Sequence, residues 1–291
     1  MIQDITILPA NLVTLVLESF LYGFLVLLFI STVYFLATRQ TLAGQSAKHH
    51  LTSLVFLTIA ALFTLITVHW SIVIYQPFFS FIHLGNAASE DTFYADLAQP
   101  SELAKFSLFF VAVLLGDSLV TYRLWIICGK NLKVVIFPVV ALIGLAVCCI
   151  GFVIEVSNWN PSLRGARFEE ESRPWEVAGI ALSVLANFYS TGFIISRMLK
   201  VKKAASPSKT SLAWFLSIVI ESAALQAVWL TISITTILFD SDAQFFTMDG
   251  FPAIIGISNT LIHARVGLGW SQGSAGSREK KLGNKPPGNA A

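Results

Sequence analysis

The chain has 291 residues, 55% of them hydrophobic and only 12% charged, with a net charge of +2. A soluble domain carries about 25% charged residues, so this sequence holds too few to cover a water-facing surface. The near-neutral balance supplies no basic field for nucleic acid, and the lipid bilayer becomes the expected solvent and first partner.

Seven stretches meet or nearly meet the roughly 20 apolar residues that cross a hydrocarbon core. They are Leu12–Ala37, Leu51–Tyr75, Leu103–Ile127, Val134–Val156, Val177–Met198, Leu212–Phe239 and Phe251–Gly269. Backbone groups in lipid must be satisfied within the segment, so each run is expected to be a helix. The alternation of a membrane barrel strand is not present in them. No basic residue precedes the first run, which is too long for a signal h-region, so an uncleaved N-terminus is expected. A long connection, Gln76–Glu102, follows the second run and opens on Phe78, Phe79 and Phe81. A second, Ser157–Trp175, carries Trp159, Trp175 and mixed charge. Its Asn160 is followed by Pro161, which blocks glycosylation there. The seventh run is interrupted by Pro252, Gly256, Asn259, His263 and Arg265. Residues 270–291 are rich in Gly, Ser, Lys, Asn and Pro and are expected to be a disordered tail. The predicted architecture is all-α: a polytopic bundle of seven transmembrane helices over 1–269, followed by that tail.

Fifteen of the 19 basic residues fall on one side of such a bundle. They are Arg39 and Lys48, Arg123, Lys130 and Lys133, then Arg197, Lys200, Lys202, Lys203 and Lys209, then Arg265, Arg278, Lys280, Lys281 and Lys285. Lys105, Arg164, Arg167 and Arg173 fall on the other, beside acidic connections containing Glu90, Asp91, Asp96, Glu169, Glu170, Glu171, Asp240, Asp242 and Asp249. Positive charge marks the cytoplasmic side, so the N-terminus is expected outside and the C-terminus in the cytoplasm. The same rule requires the seventh run to span. Arg123 and Arg265, near inner helix ends, are expected to snorkel to the headgroups. The membrane is expected to be the plasma membrane.

Cys128, Cys148 and Cys149 all lie in or beside apolar runs, which predicts free thiols and no structural disulfide.

Polar residues within the spans carry the functional information, because an ionisable group at mid-bilayer costs about 2.5–3.5 kcal/mol on insertion scales. At about 1.5 Å rise per residue, Glu18 and His69 lie at matching depths on adjacent antiparallel helices and can form an outer pair. Asp117, Asn187, Glu221, Gln226 and His263 fall deeper and are expected to form an inner polar cluster. If Asp117 and Glu221 met, one would hold a proton. Such a cluster serves either as packing hydrogen bonds, worth about 0.6 kcal/mol each in membranes, or as a switch or proton path.

Several short pieces recur in a fixed order. They are Glu18-Ser19 with Tyr22-Gly23, Gly116-Asp117 with Tyr122-Arg123-Leu124-Trp125, and Asn187 with Thr191. Glu221-Ser222-Ala223, Gly256-Ile257, Leu261-Ile262 and Arg265-Val266-Gly267-Leu268-Gly269 follow. In these the chain resembles the large group of uncharacterised seven-helix membrane proteins of basidiomycete fungi, described as receptor-like. The resemblance implies the seven-span topology and a receptor-like role.

The best-known receptor class is disfavoured. No acidic residue precedes Arg123, Ser258-Asn259-Thr260 replaces an Asn-Pro turn, and no cysteine pair ties helix 3 to the second outside loop. A retinal protein needs a lysine in the last helix, and residues 251–269 have none. His69 and His263 lie near opposite sides without HExxH spacing, so neither a metal centre nor hydrolase chemistry is expected. No catalytic residue and no cofactor is predicted. Three readings stay open. The first is a receptor-like protein whose Arg197, Lys200, Lys202, Lys203 and Lys209 touch a cytoplasmic signalling protein or anionic lipid, with a small-molecule or lipid ligand. The second is a proton-coupled transporter built on the intramembrane carboxylates. The third is a structural or lipid-interacting membrane protein.

Overall fold

The computed structural model describes residues 7–42, 49–84, 93–94, 96–158, 171–204, 210–239, 246–262 and 264–265. Six of its helices are long and apolar enough to cross a membrane. They are α1 (Ile7–Leu42), α2 (His49–Phe79), α3 (Pro100–Ile127), α4 (Leu132–Ser157), α5 (Arg173–Ala204) and α6 (Thr210–Leu238). A further helix, α7, covers 246–262. The chain is a multi-pass helical membrane protein. Neighbouring helices run antiparallel, so α1, α3, α5 and α7 begin at one end of the bundle, here the leading end, and finish at the far end.

Most helices are longer than their apolar runs. Pro100 starts α3 at a position whose missing N–H has no helical acceptor anyway, two residues before Glu102. The α2 helix continues past Pro77 into a π turn, Ser80–Leu84. Phe78, Phe79 and Phe81, expected in a connection, therefore lie on helix. The stop between α3 and α4 is sharp. Gly129 and Lys130 both adopt positive φ (70° and 63°), and Lys130 N–H bonds Trp125 O while Gly129 N–H bonds Ile126 O. This double closure satisfies the last carbonyls of α3. Asn131 then caps α4 by accepting from the Lys133 amide at 3.1 Å.

The outside of the bundle is apolar. On α4 the exposed residues Ile136, Val140, Ile143, Val147, Ile150 and Ile154 recur at helical spacing, and on α1 Val16, Phe20, Leu27 and Ile30 do the same. Stripes of this extent are stable only against lipid or protein. The core lies on α7, which is buried almost all round. Ile254, Ile255 and Phe251 join Leu25 of α1, Leu62 and Ile66 of α2, and Phe109 and Val113 of α3. Two glycines permit the approach. A Cβ on Gly256 would lie 2.5 Å from Ile66 Cδ1 and 3.1 Å from the Leu25 methyls, and one on Gly116 would collide with Ile255 Cγ2.

Candidate functional site

At the leading end, buried charge joins four helices. The inward face of α2 carries Leu62, Ile66, His69, Val73 and Gln76 at helical spacing, and Ser80 of the π turn continues it; all six are buried. His69 Nδ1 lies 2.8 Å from Glu18 Oε1 of α1, with both side chains sealed from solvent. Tyr22 to Thr67 (3.0 Å) and Trp70 to Ser19 (3.1 Å) fasten the same two helices on either side of this pair. One to two turns further, Gln76 Nε2 donates to Glu102 Oε1 of α3 at 2.9 Å. Lys105 Nζ donates to Glu102 (3.0 Å to Oε2) and to Asp249 Oδ2 of α7 (3.2 Å).

Sequence reasoning missed this triad. Hydropathy puts Lys105 and Asp249 at the outer boundary, as a loop-side cation and a loop acid. Both are instead buried: Asp249 because α7 begins before its apolar run, and Lys105 because its ammonium turns inward to Glu102 and Asp249. The available signal was the Glu102-x-x-Lys105 spacing, which puts opposite charges on one helix face.

Midway along α3, Asp117 is buried and accepts from two side chains of α5: Ser183 Oγ at 2.6 Å and Asn187 Nδ2 at 2.7 Å. The predicted inner cluster of five therefore divides. Asp117 and Asn187 meet. Glu221 does not join them: it is exposed and forms a two-pronged pair with Arg265, one arm at 3.0 Å. Depth along a helix fixes height but not direction around the axis, and Glu221 points away from α3. Arg265 accordingly takes a carboxylate partner where a headgroup was expected. Arg123 turns inward, donating to the Asn259 carbonyl of α7 at 3.3 Å. Gln226 is buried at a separate place, described below. His263 and Lys209 lie outside the described residues, as do the side chains of Lys202 and Lys203. Arg197 and Lys200 are exposed near the far end of α5.

Two cavities flank the Asp117 layer. The leading-end cavity, about 40 Å³, lies among Phe109 and Val113 (α3), Cys148 and Cys149 (α4), Trp175, Glu176 and Ser183 (α5), Leu230 (α6) and Phe251 (α7). The far-end cavity is larger, about 210 Å³, and among the described residues its lining comes from α3, α5, α6 and α7. Arg123, Tyr122, Thr191, Ser222, Gln226 and Asn259 provide its polar groups. Ser183 both lines the first cavity and bonds Asp117, and along α3 and α5 the polar layer falls between the residues that line the two cavities. Among the described residues, no group of three or more His, Cys, Asp or Glu is placed to hold a metal ion. The three cysteines are free.

No family model, no curated protein and no solved structure matches this chain.

Proposed function

We propose that the chain is a receptor-like membrane protein that crosses the bilayer seven times, with the leading end outside and the far end in the cytoplasm. One observation carries this reading: two cavities are stacked on the same helices, α3, α5, α6 and α7, with the Asp117–Ser183–Asn187 layer between them. A small molecule or lipid that spread α5 from α6 at one cavity would change the other, because packed helices shift as units. Exposed Arg197 and Lys200 support a cytoplasmic contact at the far end, and the sequence resemblance to receptor-like fungal proteins points the same way. The plasma membrane is the proposed location.

The test is recruitment in living cells, read as proximity between a tag on the C-terminus and tagged G-protein subunits. The full chain should give a signal, and a chain lacking Lys200–Lys209 should lose it. Equal signals from both would remove this reading.

A second reading, proton-coupled transport, is favoured by the position of a carboxylate, Asp117, between two cavities. In proteoliposomes with a trapped pH dye, Asp117→Asn would abolish proton flux. Receptor coupling would survive the same change, since an amide still meets Ser183 and Asn187.

A further inference from the structure

We infer that the leading-end cavity binds the protonated end of a small aliphatic amine, with Glu176 as its counter-ion. This gives the receptor reading a ligand class and rests on that reading only for what binding does; the binding itself is tested apart from any signal.

The charge of the cavity is one-sided. Glu176 lines it, and the lining holds no Lys, Arg or His among the described residues. Glu176 Oε1 is sealed from solvent and accepts no hydrogen bond. Among the described residues, no basic side chain forms an ion pair with Glu176. Arg173, one turn earlier on α5, donates to the Ile237 carbonyl at 2.6 Å. A buried carboxylate oxygen without a partner is costly to keep, and an ammonium beside it supplies both the opposite charge and the hydrogen bond. Glu176 stands in the first turn of α5, where the free backbone N–H groups favour an anion.

The two hydroxyls of the lining offer acceptors. Ser183 donates its proton to Asp117 at 2.6 Å, and Ser233 donates its proton to the Trp229 carbonyl at 3.1 Å. Each oxygen therefore has lone pairs, and no proton, left for a ligand. Ser183 Oγ also receives a long contact, 3.5 Å, from Asn187 Nδ2. An ammonium carries three donors and no acceptor, which complements this set. A ligand carboxylate would instead meet Glu176 with no cation between them.

Aromatic faces complete the site. Phe109 packs edge-on to Phe110 at 5.1 Å between ring centroids and is tilted against Phe251 at 6.2 Å, and all three line the cavity. The Trp175 ring lies over Gly151 of α4, where a Cβ would come within 2.7 Å of it. Such rings attract a cation through their quadrupoles. Size limits the ligand. A cavity of 40 Å³ exceeds the about 10–15 Å³ that one water needs and falls well short of the about 150 Å³ that admits benzene. It takes an ammonium with a few carbons. Trp175 is the one exposed residue of the described lining and marks where a longer tail would leave.

Saturation-transfer NMR on the full chain in detergent tests this, with n-butylammonium as probe and n-butanol and butyrate as controls of similar length. Butylammonium should bind saturably, about tenfold or more tighter than either control. Glu176→Gln should weaken it by a similar factor, and Glu221→Gln, at the exposed far-end pair, should not. Phe110→Leu should weaken it roughly two- to fivefold and serves if Glu176→Gln does not fold. Absence of binding at millimolar butylammonium overturns the inference, and so does equal binding of butanol, which would make the cavity an apolar pocket. Displacement by equimolar sodium would make the occupant an inorganic cation, and unchanged binding in both cavity variants would place the amine elsewhere; either result also overturns it. Amine binding without recruitment of G-protein subunits would remove the receptor reading and leave this inference standing.

Discussion

Replacing Lys105 with methionine tests the buried charge at the leading end. The ammonium lies 3.0 Å from Glu102 and 3.2 Å from Asp249, and its side chain is 4% exposed. Methionine keeps the stem volume and removes the charge. Glu102 and Asp249 are then left as two buried acids without their shared cation. Breaking a buried pair by removing one partner costs about 3–5 kcal/mol. For a protein of this size each kcal/mol shifts the melting point by about 2–4 °C, so a fall of roughly 6–20 °C is expected. The buried thiols of Cys148 and Cys149 give a direct readout, because a thiol-reactive dye labels them only as the bundle opens. Lys105→Met combined with Glu102→Gln and Asp249→Asn should recover most of the loss, since it deletes the stranded charges as well. If Lys105→Met melts within about 2 °C of the parent chain, less than one kcal/mol on that scale, the triad does not hold these helices together.

Changes at three further positions probe other parts of the bundle by the same thermal assay. Gly116→Ala should destabilise by about 1–3 kcal/mol, because the new methyl meets Ile255 Cγ2, which is fixed on the α7 backbone. Unchanged stability would mean that α3 and α7 are not in close contact. Asp117→Asn should cost only about 1 kcal/mol, since Ser183 can rotate its hydroxyl and Asn187 can turn its amide to suit a new donor. Asp117→Leu should cost clearly more, and a reversed order would contradict the hydrogen bonds of that layer. Glu221→Gln should cost less than about 1 kcal/mol, because the pair with Arg265 is exposed. A loss as large as that of Lys105→Met would show that this pair is buried in the membrane-embedded protein.

The spans were legible because lipid imposes long apolar helices, and hydropathy reads those directly. Helix ends were less so. Hydropathy stops the runs short of Glu102 and Asp249, but both acids share the Lys105 ammonium inside the bundle, so the helices run on past the apolar runs. The Glu18 and His69 geometry could be anticipated because adjacent antiparallel helices leave few choices of partner at a given depth. Glu221 could not be placed in this way. Its depth matched that of Asp117, but nothing in the spacing of one helix gives its rotation relative to another. The cavities were also hidden, since they depend on how four separated helices leave space between them.

The two ends of the bundle are fastened differently, and this predicts where it moves. At the leading end α6 is held by Arg173 donating to Ile237 O at 2.6 Å, by Trp229 donating to Thr247 O at 2.8 Å, and by Thr236 meeting Thr247 at 3.1 Å. At the far end, among the described residues, Val219 packs on Leu124, Ile194 and Met198, and the polar tie is the exposed Glu221–Arg265 pair beside a 210 Å³ cavity. Exposed ion pairs contribute little, and empty volume forfeits dispersion contacts. The far half of α6 should therefore open at lower free energy than the half beyond Trp229. Hydrogen exchange in nanodiscs measures this directly: amides of 217–226 should exchange faster than those of 229–236. The opposite order would place the mobile end of α6 beside Thr247, and an outward swing at the far-end cavity would no longer follow from the packing.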